Sequence, residues 1–248
     1  MKFLILSDVH ANLTALEAAL AAAEGKWEKA VCLGDVVGYG PDPNEVIDRI
    51  RGLNAVTIRG NHDKVGSGLT SAEDFNPVAR AAAMWTREHL RPDNRAYLEQ
   101  LPLGPVSLNG FSLVHGAVRD EDEYVVGPAQ ALESLLEAPS PVIFFGHTHL
   151  QAGFSLGPDN KLTTLRLRPS NDEKFSTLEI KKETSYLLNP GSVGQPRDGD
   201  SRAAFAIADS DAGEVQFWRV PYEVESVQQR MEKAGLPEPL ILRLSLGR

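Results

Sequence analysis

Short apolar runs alternate with amphipathic stretches along the first sixty residues. The run at residues 2–6 is followed by apolar side chains that recur every three or four positions as far as Ala23. This change of period from strand to helix is typical of βαβ units around a largely buried sheet. Asn12 suits the N-cap of the first helix and Gly25 suits its end, so we expect a helix at about 13–23.

The same alternation continues to about residue 100. It predicts strands at 30–33 and 55–58 and helices at 44–51, 77–90 and 94–100. Residues 63–74 break the pattern because they are polar and rich in glycine. We therefore expect an irregular border to a functional site there, mobile around residues 64–70.

Strands dominate the second half of the chain. The predicted strands are 106–108, 111–114, 142–145, 152–156, 162–167, 175–180, 185–188, 203–209 and 215–220, with helices at 128–136 and 224–234. Asn109 and Gly110 suit the two-residue turn of a hairpin between the first two of these strands. The short strands after residue 151 predict a second sheet packed against the first.

The composition fits one α/β domain spanning residues 1–248. A chain of this length with 42% hydrophobic residues can bury a full core. The 34 acidic residues outnumber the 25 basic ones, which gives a formal charge of −9. A surface of this sign disfavours long DNA or RNA as a partner.

Two further features concern the compartment. The single cysteine, Cys32, cannot form an internal disulfide, and the chain opens into a predicted strand rather than an apolar leader. No apolar stretch is long enough to span a bilayer, so no membrane association is expected. These features together predict a cytoplasmic protein.

Side chains with metal-binding chemistry follow five of the predicted strands. Strand stability does not require Asp, Asn or His at those positions, and the carboxyl ends of strands in a helix-flanked sheet are where ligands bind. The pattern therefore predicts a metal site. The side chains that could ligate a metal at these strand ends are Asp8, His10, Asp35, Asn61, His62, Asp63, His115, His147 and His149.

The donor set indicates the kind of metal. Imidazole and carboxylate together suit Mn, Fe, Co, Ni or Zn, whereas Ca and Mg prefer shells made only of oxygen. No cysteine lies in these motifs, which disfavours a structural zinc held by thiolates. Because six or seven ligands would be too many for one ion and a carboxylate can bridge a pair, we expect two divalent transition-metal ions, with Mn favoured.

Taken in order, these motifs resemble those of the calcineurin-like metallophosphoesterases. Residues 189–197 also resemble a segment of the compact bacterial and archaeal phosphodiesterases of that superfamily. The resemblance covers roughly the whole chain and implies a four-layer αββα sandwich, with two mixed sheets flanked by helices. The matching motifs are Asp8-x-His10, Gly34-Asp35, Gly60-Asn61-His62-Asp63, His115-Gly116 and Gly146-His147-x-His149.

The resemblance also implies a role for each residue. One ion would be held by Asp8, His10, Asp35 and His149, and the other by Asp35, Asn61, His115 and His147. Asp35 would thus be the shared ligand, and a metal-bound hydroxide would attack phosphorus. His62 would be the general acid, and Asp63 is expected to fix its tautomer or raise its pKa.

Two arginines and two loops have more than one interpretation. Arg119 and Arg197 follow the motifs closely and could each clamp a phosphate oxygen, or each could be solvated. The loop at 38–43 could shape a pocket beside Asp35 or merely connect two elements. The acidic run at 120–123 is expected to be a solvated loop; near a pocket it would disfavour highly charged substrates.

The sequence thus predicts metal-dependent hydrolysis of a small phosphodiester or a nucleotide-type phosphoanhydride. Phosphomonoester or phosphoprotein hydrolysis is an alternative, although residues 34–40 lack the arginine that protein phosphatases carry there. Another alternative is a protein-binding scaffold without activity, but such proteins lose ligands that are all present here. The substrate, the native metal and the oligomeric state stay open.

Overall fold

The computed structural model describes all 248 residues, which form twelve strands and eight helices. The strands are β1 (Lys2–Leu6), β2 (Lys29–Cys32), β3 (Val56–Thr57), β4 (Val106–Leu108), β5 (Phe111–Leu113), β6 (Val142–Phe144), β7 (Ala152–Leu156), β8 (Leu162–Arg166), β9 (Phe175–Glu179), β10 (Ser185–Leu188), β11 (Ala203–Asp209) and β12 (Glu214–Val220). The helices are α1 (Leu13–Ala22), α2 (Pro43–Gly52), α3 (Asn61–Ser67), α4 (Pro77–His89), α5 (Pro92–Glu99), α6 (Pro128–Glu137), α7 (Val224–Lys233) and α8 (Glu238–Leu246).

The strands form two mixed sheets of six. The first has the order β3-β2-β1-β11-β12-β9, in which β1, β2 and β3 are parallel and the other pairs antiparallel. The second has the order β4-β5-β6-β10-β7-β8, in which β5, β6 and β10 are parallel. The parallel strands of each sheet end on the same edge, and this is where the candidate ligands follow.

The division of strands between the sheets differs from the prediction. The strands at 175–179, 203–209 and 214–220 were expected in the second sheet, but they complete the first one. β11 is buried on both faces along six of its seven residues. Such a strand belongs in the interior of a sheet, and it lies between β1 and β12.

Alternate residues of β1 show the four layers. Phe3 and Ile5 pack into the core between the two sheets, where Phe3 makes an edge contact with Phe111 of the second sheet at 5.5 Å. Leu4 and Leu6 pack on the opposite face, against a core shared with α1 and α2. On the outer face of the second sheet, α6 buries its apolar side. The αββα sandwich is therefore confirmed.

Two helices lie where none was predicted. α3 occupies the start of the segment expected to be irregular, and its residues 62–67 are buried. α8 lies in the C-terminal tail, where Leu240 and Leu244 pack against Val227 and Met231 of α7. Neither α8 nor any other helix combines the length and the hydropathy that crossing a membrane would need.

Candidate metal centre

The predicted ligands converge where the parallel strands of both sheets end. Asp8 and His10 follow β1, and Asp35 follows β2. Asn61 begins α3 after β3, while the remaining three histidines follow β5 and β6. All are buried except Asn61, which is partly buried. The fold thus brings all seven candidates together at one edge.

The ligand atoms fall into two groups that share Asp35. One group contains Asp8, His10, Asp35 and His149, and the other contains Asp35, His115 and His147; within each group the atoms lie within 4.8 Å of one another. Asn61 joins the second group, because its Oδ1 lies 3.3 Å from His115 Nε2. The Oδ2 atom of Asp35 lies 3.6 Å from His10 Nε2 and 3.4 Å from His115 Nε2. Asp35 therefore stands between the two groups.

Backbone carbonyls orient the imidazole rings. The Nδ1 atoms of His10, His115 and His149 donate to the carbonyls of Val37, Leu33 and Gln195, at 3.0, 2.7 and 2.6 Å. In the neutral rings of His10 and His149 this leaves Nε2 with a free lone pair pointing into the cluster. Asp35 raises the pKa of His115 to about 10 against the effect of burial, so His115 would give up its Nε2 proton to a bound metal. His147 has the reverse arrangement, since its Nε2 donates to the carbonyl of Asp122 at 3.1 Å and leaves Nδ1 free. Such outer hydrogen bonds are typical of metal-bound histidines.

The contact between His10 and His149 tests whether a cation fits. Their Nε2 atoms lie 3.0 Å apart, and each has a lone pair because Nδ1 carries the proton. Burial lowers the pKa of both rings well below the usual range, so neither is protonated at neutral pH. Two facing lone pairs repel each other unless a cation lies between them. The residues therefore fit a divalent ion.

The backbone at the ligands adopts a conformation that side chains rarely occupy. Asp8, His10, Asp35, His147 and His149 have φ angles of 51°, 48°, 51°, 64° and 59°. Left-handed φ values are unfavourable for residues other than glycine and persist only where the surrounding structure imposes them. Such residues cluster at functional sites, and here they turn each ligand inward at the end of its strand.

Small residues beside the ligands make the close approach possible. A Cβ atom at Gly60 would lie 2.2 Å from Asp35 Oδ1, and one at Gly146 would lie 2.1 Å from Ser7 Oγ. Either contact would push a ligand or its neighbour out of place. This explains why glycine precedes Asn61 and His147 in the sequence.

The two carboxylates of the cluster are held differently. Asp35 Oδ1 accepts the backbone N–H of His62 at 2.9 Å. Burial alone would raise the pKa of Asp35, but the neighbouring histidines, His115 foremost, hold it well below its usual range. Asp8 accepts from Ser7 Oγ at 2.7 Å and from the N–H of His147, and burial raises its pKa to about 6. A cation would keep both carboxylates ionised.

His62 lies beside the cluster rather than in it. Its ring is 4.3 Å from that of Tyr39, 4.7 Å from that of Phe75 and 4.9 Å from that of His10. The Nδ1 atom is buried without a partner, against Gly38, while Nε2 makes no hydrogen bond and the ring lines a cleft. Burial lowers the pKa of His62 to about 4, so the ring is neutral at pH 7.

Asp63 does not support His62. Its Oδ1 accepts the N–H of Val37 at 3.1 Å and its Oδ2 accepts the N–H of Gly60 at 2.9 Å, so both oxygens are used on the backbone. The expectation that Asp63 fixes the tautomer of His62 is therefore wrong. Asp63 instead caps α3 and ties it to the loop after Asp35, which makes it a positioning residue.

The two candidate arginines lie at different distances from the centre. The side chain of Arg119 is 71% exposed, pairs with Glu137 and does not line the cleft, so the structure does not bring it to the cluster. Arg197 lies beside the centre, where its backbone N–H donates to the carbonyl of His149 at 3.2 Å. Its guanidinium is 5.6 Å from the centre of the Tyr39 ring.

The acidic run beside the centre is only partly solvated. Glu121 accepts from Arg59 and from Lys64, at 2.9 and 2.8 Å, and Asp122 accepts from Lys64 at 2.6 Å. Glu121 and Asp122 are therefore neutralised by neighbouring cations. Because these ion pairs offset their charge, Glu121 and Asp122 should repel highly charged substrates much less than expected.

A cleft of about 340 Å³ opens onto the centre. Three aromatic residues that were not predicted line it, namely Tyr39, Phe75 and Tyr124. Tyr124 is stacked on the ring of His147 at 3.8 Å. The loop at 38–43 was expected either to shape a pocket or merely to connect two elements. Because Tyr39 lines the cleft, the loop shapes the pocket. Tyr124 follows the acidic run, where no pattern indicated it.

Adding Mn²⁺ to chelator-treated protein is expected to raise its melting temperature. An ion that binds only the folded cluster stabilises it by about 2.7 kcal/mol when its concentration is a hundredfold above Kd. Differential scanning calorimetry measures the shift, and Ca²⁺ is the control because it prefers shells made only of oxygen. No shift with any of Mn, Fe, Co, Ni or Zn would show that the cluster does not hold a metal.

Comparison with known proteins agrees with this geometry. The model of the calcineurin-like phosphoesterase superfamily domain matches residues 1–213. A metallophosphoesterase from Sphaerobacter thermophilus has a crystal structure with a TM-score of 0.84 and 38% identity, covering 100% of this chain and 99% of that one. An uncharacterized protein of Methanocaldococcus jannaschii is 34% identical over 98% of this chain and 97% of its own.

A structure of low identity extends the comparison to the fold alone. A hypothetical protein from Pyrococcus horikoshii has a TM-score of 0.80 at 22% identity, covering 100% of this chain and 98% of that one. The family match, the relatives of higher identity and the arrangement of the ligand atoms all indicate the same family. The chain belongs to the calcineurin-like phosphoesterase superfamily.

Proposed function

We propose that this protein hydrolyses a small phosphodiester or a nucleotide-type phosphoanhydride with the help of two divalent metal ions, Mn being favoured. The observation that carries the proposal is the pair of buried ligand groups that share Asp35. Facing Nε2 atoms at 3.0 Å in one of these groups support a resident cation. The single cysteine is buried and free, which fits a cytoplasmic location.

The charges at the centre favour an anionic substrate. Asp8 and Asp35 contribute two negative charges, so two divalent ions would leave a net charge of about +2. When bound, such ions supply positive charge for the phosphate oxygens and activate a water near neutral pH. Asp8, Asp35, Asn61 and the four histidines would hold them. The neighbouring acids are paired with Lys64 and Arg59 and do not oppose this charge.

The remaining residues act on the substrate and its leaving group. In the hydrolysis, the oxygen of water forms a bond to phosphorus and gives up a proton, while the bond from phosphorus to the leaving oxygen breaks. The leaving oxygen must gain a proton, and His62 faces the cleft with Nε2 free of any partner in the protein. We propose that His62 supplies that proton. A phosphate anion beside the ring raises its pKa above the value set by burial.

Purified protein assayed with Mn²⁺ tests the proposal. We expect metal-dependent turnover of bis(p-nitrophenyl) phosphate that exceeds turnover of the monoester p-nitrophenyl phosphate, and loss of both with a chelator. Turnover of the monoester alone would indicate a phosphomonoesterase. Folded, metal-loaded protein without turnover of a diester, a monoester or a nucleoside diphosphate would favour the protein-binding scaffold.

A further inference from the structure

Two arginines from distant parts of the chain meet at one tyrosine beside the metal centre. The Cζ atoms of Arg197 and Arg243 lie 5.6 and 4.7 Å from the centre of the Tyr39 ring. Arg197 follows the segment after β10, whereas Arg243 lies on α8, in the tail that carried no predicted chemistry. The fold therefore places two guanidinium groups close together.

Neither guanidinium has a carboxylate partner. Arg197 Nη2 donates to Tyr39 Oη and to Gln195 Oε1, both at 3.3 Å, and Arg243 Nη2 donates to the same Gln195 Oε1. By contrast, the buried Arg219 is paired with Asp198. Burial and the charge of Arg197 lower the pKa of Arg243, as expected for two cations that lie close together without a carboxylate partner.

Three donors in this cluster have no acceptor. The Nε atoms of Arg197 and Arg243 and the Nε2 atom of Gln195 are all buried without a hydrogen-bond partner. Most buried polar groups in proteins are paired, so three unpaired donors in one place need an explanation. An anion beside the two partly exposed arginines would neutralise their positive charges.

The position of the arginines relates them to the leaving group. Tyr39, which both arginines contact, has its ring 4.3 Å from that of His62 and 4.6 Å from that of His10. Through Tyr39, the pair lies close both to His62 and to the ligand His10. If His62 protonates the leaving oxygen, the leaving group departs near this pair.

We propose that Arg197 and Arg243 form an anion subsite that binds a phosphate group carried by the leaving group. The inference rests on the proposed hydrolase function and narrows its substrates to molecules with a second phosphate beyond the one that reacts. Guanidinium forks suit phosphate because they can donate two parallel hydrogen bonds to it. A simple diester would leave the subsite empty.

The second phosphate can come from two sources with the same chemistry. In a phosphoanhydride such as a nucleoside diphosphate, the leaving group is itself a phosphate. In a phosphodiester, the leaving alcohol can carry a phosphate elsewhere. Two pairs of substrates distinguish these sources. The first compares ADP with the p-nitrophenyl ester of AMP. The second compares a deoxythymidine dinucleotide that carries a phosphate on its leaving nucleoside with the same dinucleotide without that phosphate.

The test compares kcat/KM for the two members of each substrate pair, in the wild type and in Arg243→Gln. We expect kcat/KM for the doubly phosphorylated member to fall about 10- to 100-fold further than for its partner, the value of a charge-assisted hydrogen bond. Arg197→Gln is the second variant, should the first fail to fold. Arg49→Gln is the matched control, because Arg49 pairs with Glu17 on the surface, away from the cleft.

A binding measurement separates this inference from the hydrolase proposal. Inorganic pyrophosphate is titrated calorimetrically into chelator-treated, full-length protein, and Arg243→Gln is expected to weaken its binding at least tenfold. Binding that depends on Arg243 without any turnover would support the subsite while the hydrolase proposal fails. Turnover with the same discrimination and the same pyrophosphate affinity in the wild type and both variants would overturn the subsite.

Discussion

Asp35→Asn is expected to lower kcat/KM on bis(p-nitrophenyl) phosphate by about a thousandfold or more. Asp35 is the residue that both ligand groups share, so its charge would act on both ions of the proposed centre. Asparagine keeps the shape and an oxygen for the N–H of His62, but it removes that charge. Each ion contributes several kcal/mol to stabilising the transition state, and about 1.4 kcal/mol corresponds to a factor of ten in rate.

Metal content and thermal stability separate this effect from misfolding. In the metal-free protein, removing this charge has two opposed effects. It relieves the repulsion that, together with burial, raises the pKa of Asp63 to about 7, and it removes the attraction by which Asp35 raises the pKa of His115 to about 10 against the effect of burial. We therefore expect the metal-free variant to fold, with a melting temperature at or below that of metal-free wild type, while the rise produced by Mn²⁺ is lost. Asp48→Asn, which breaks an exposed ion pair with Arg91, is the matched control. A variant with two bound ions and activity within tenfold of wild type would refute the shared role.

The sequence predicted the elements better than their pairing. Period-two and period-3.6 patterns are local, so β1 to β3 and the helices beside them were found within a few residues. The partner of a strand is not local: β1 pairs with β11, about two hundred residues later in the chain. Nothing in the composition of residues 203–209 indicates which sheet they join. Only packing on both faces decides it.

The ligands were predictable because their chemistry is unusual for strand ends, whereas the supporting residues are ordinary. Arg243 lies in the C-terminal tail and comes close to Tyr39 because α8 packs on α7. Asp63 misled the prediction because it follows His62 directly in a helix. Successive side chains of a helix point about 100° apart, so neighbours in sequence do not face each other. His62 accordingly faces the cleft while Asp63 faces the backbone.

Loss of the His62 side chain, unlike loss of a ligand, should leave metal binding intact. Its Nδ1 lies buried against Gly38, and its ring belongs to neither ligand group. Its backbone N–H, which holds Asp35, is kept by any substitution except proline. A change of this side chain should therefore spare metal binding while it removes the proton donor.

His62→Asn is expected to lower kcat by about 10²- to 10⁴-fold on substrates with a strongly basic leaving alkoxide, the usual contribution of a general acid. The loss should be much smaller with p-nitrophenolate, because a weakly basic leaving group needs little protonation. Steady-state kinetics on both substrate types, with metal content measured alongside, provides the test. His89→Asn is the matched control, since His89 stacks on Trp85 outside the cleft. Equal losses on both substrates would argue against proton donation, and loss of an ion would make His62 a ligand instead.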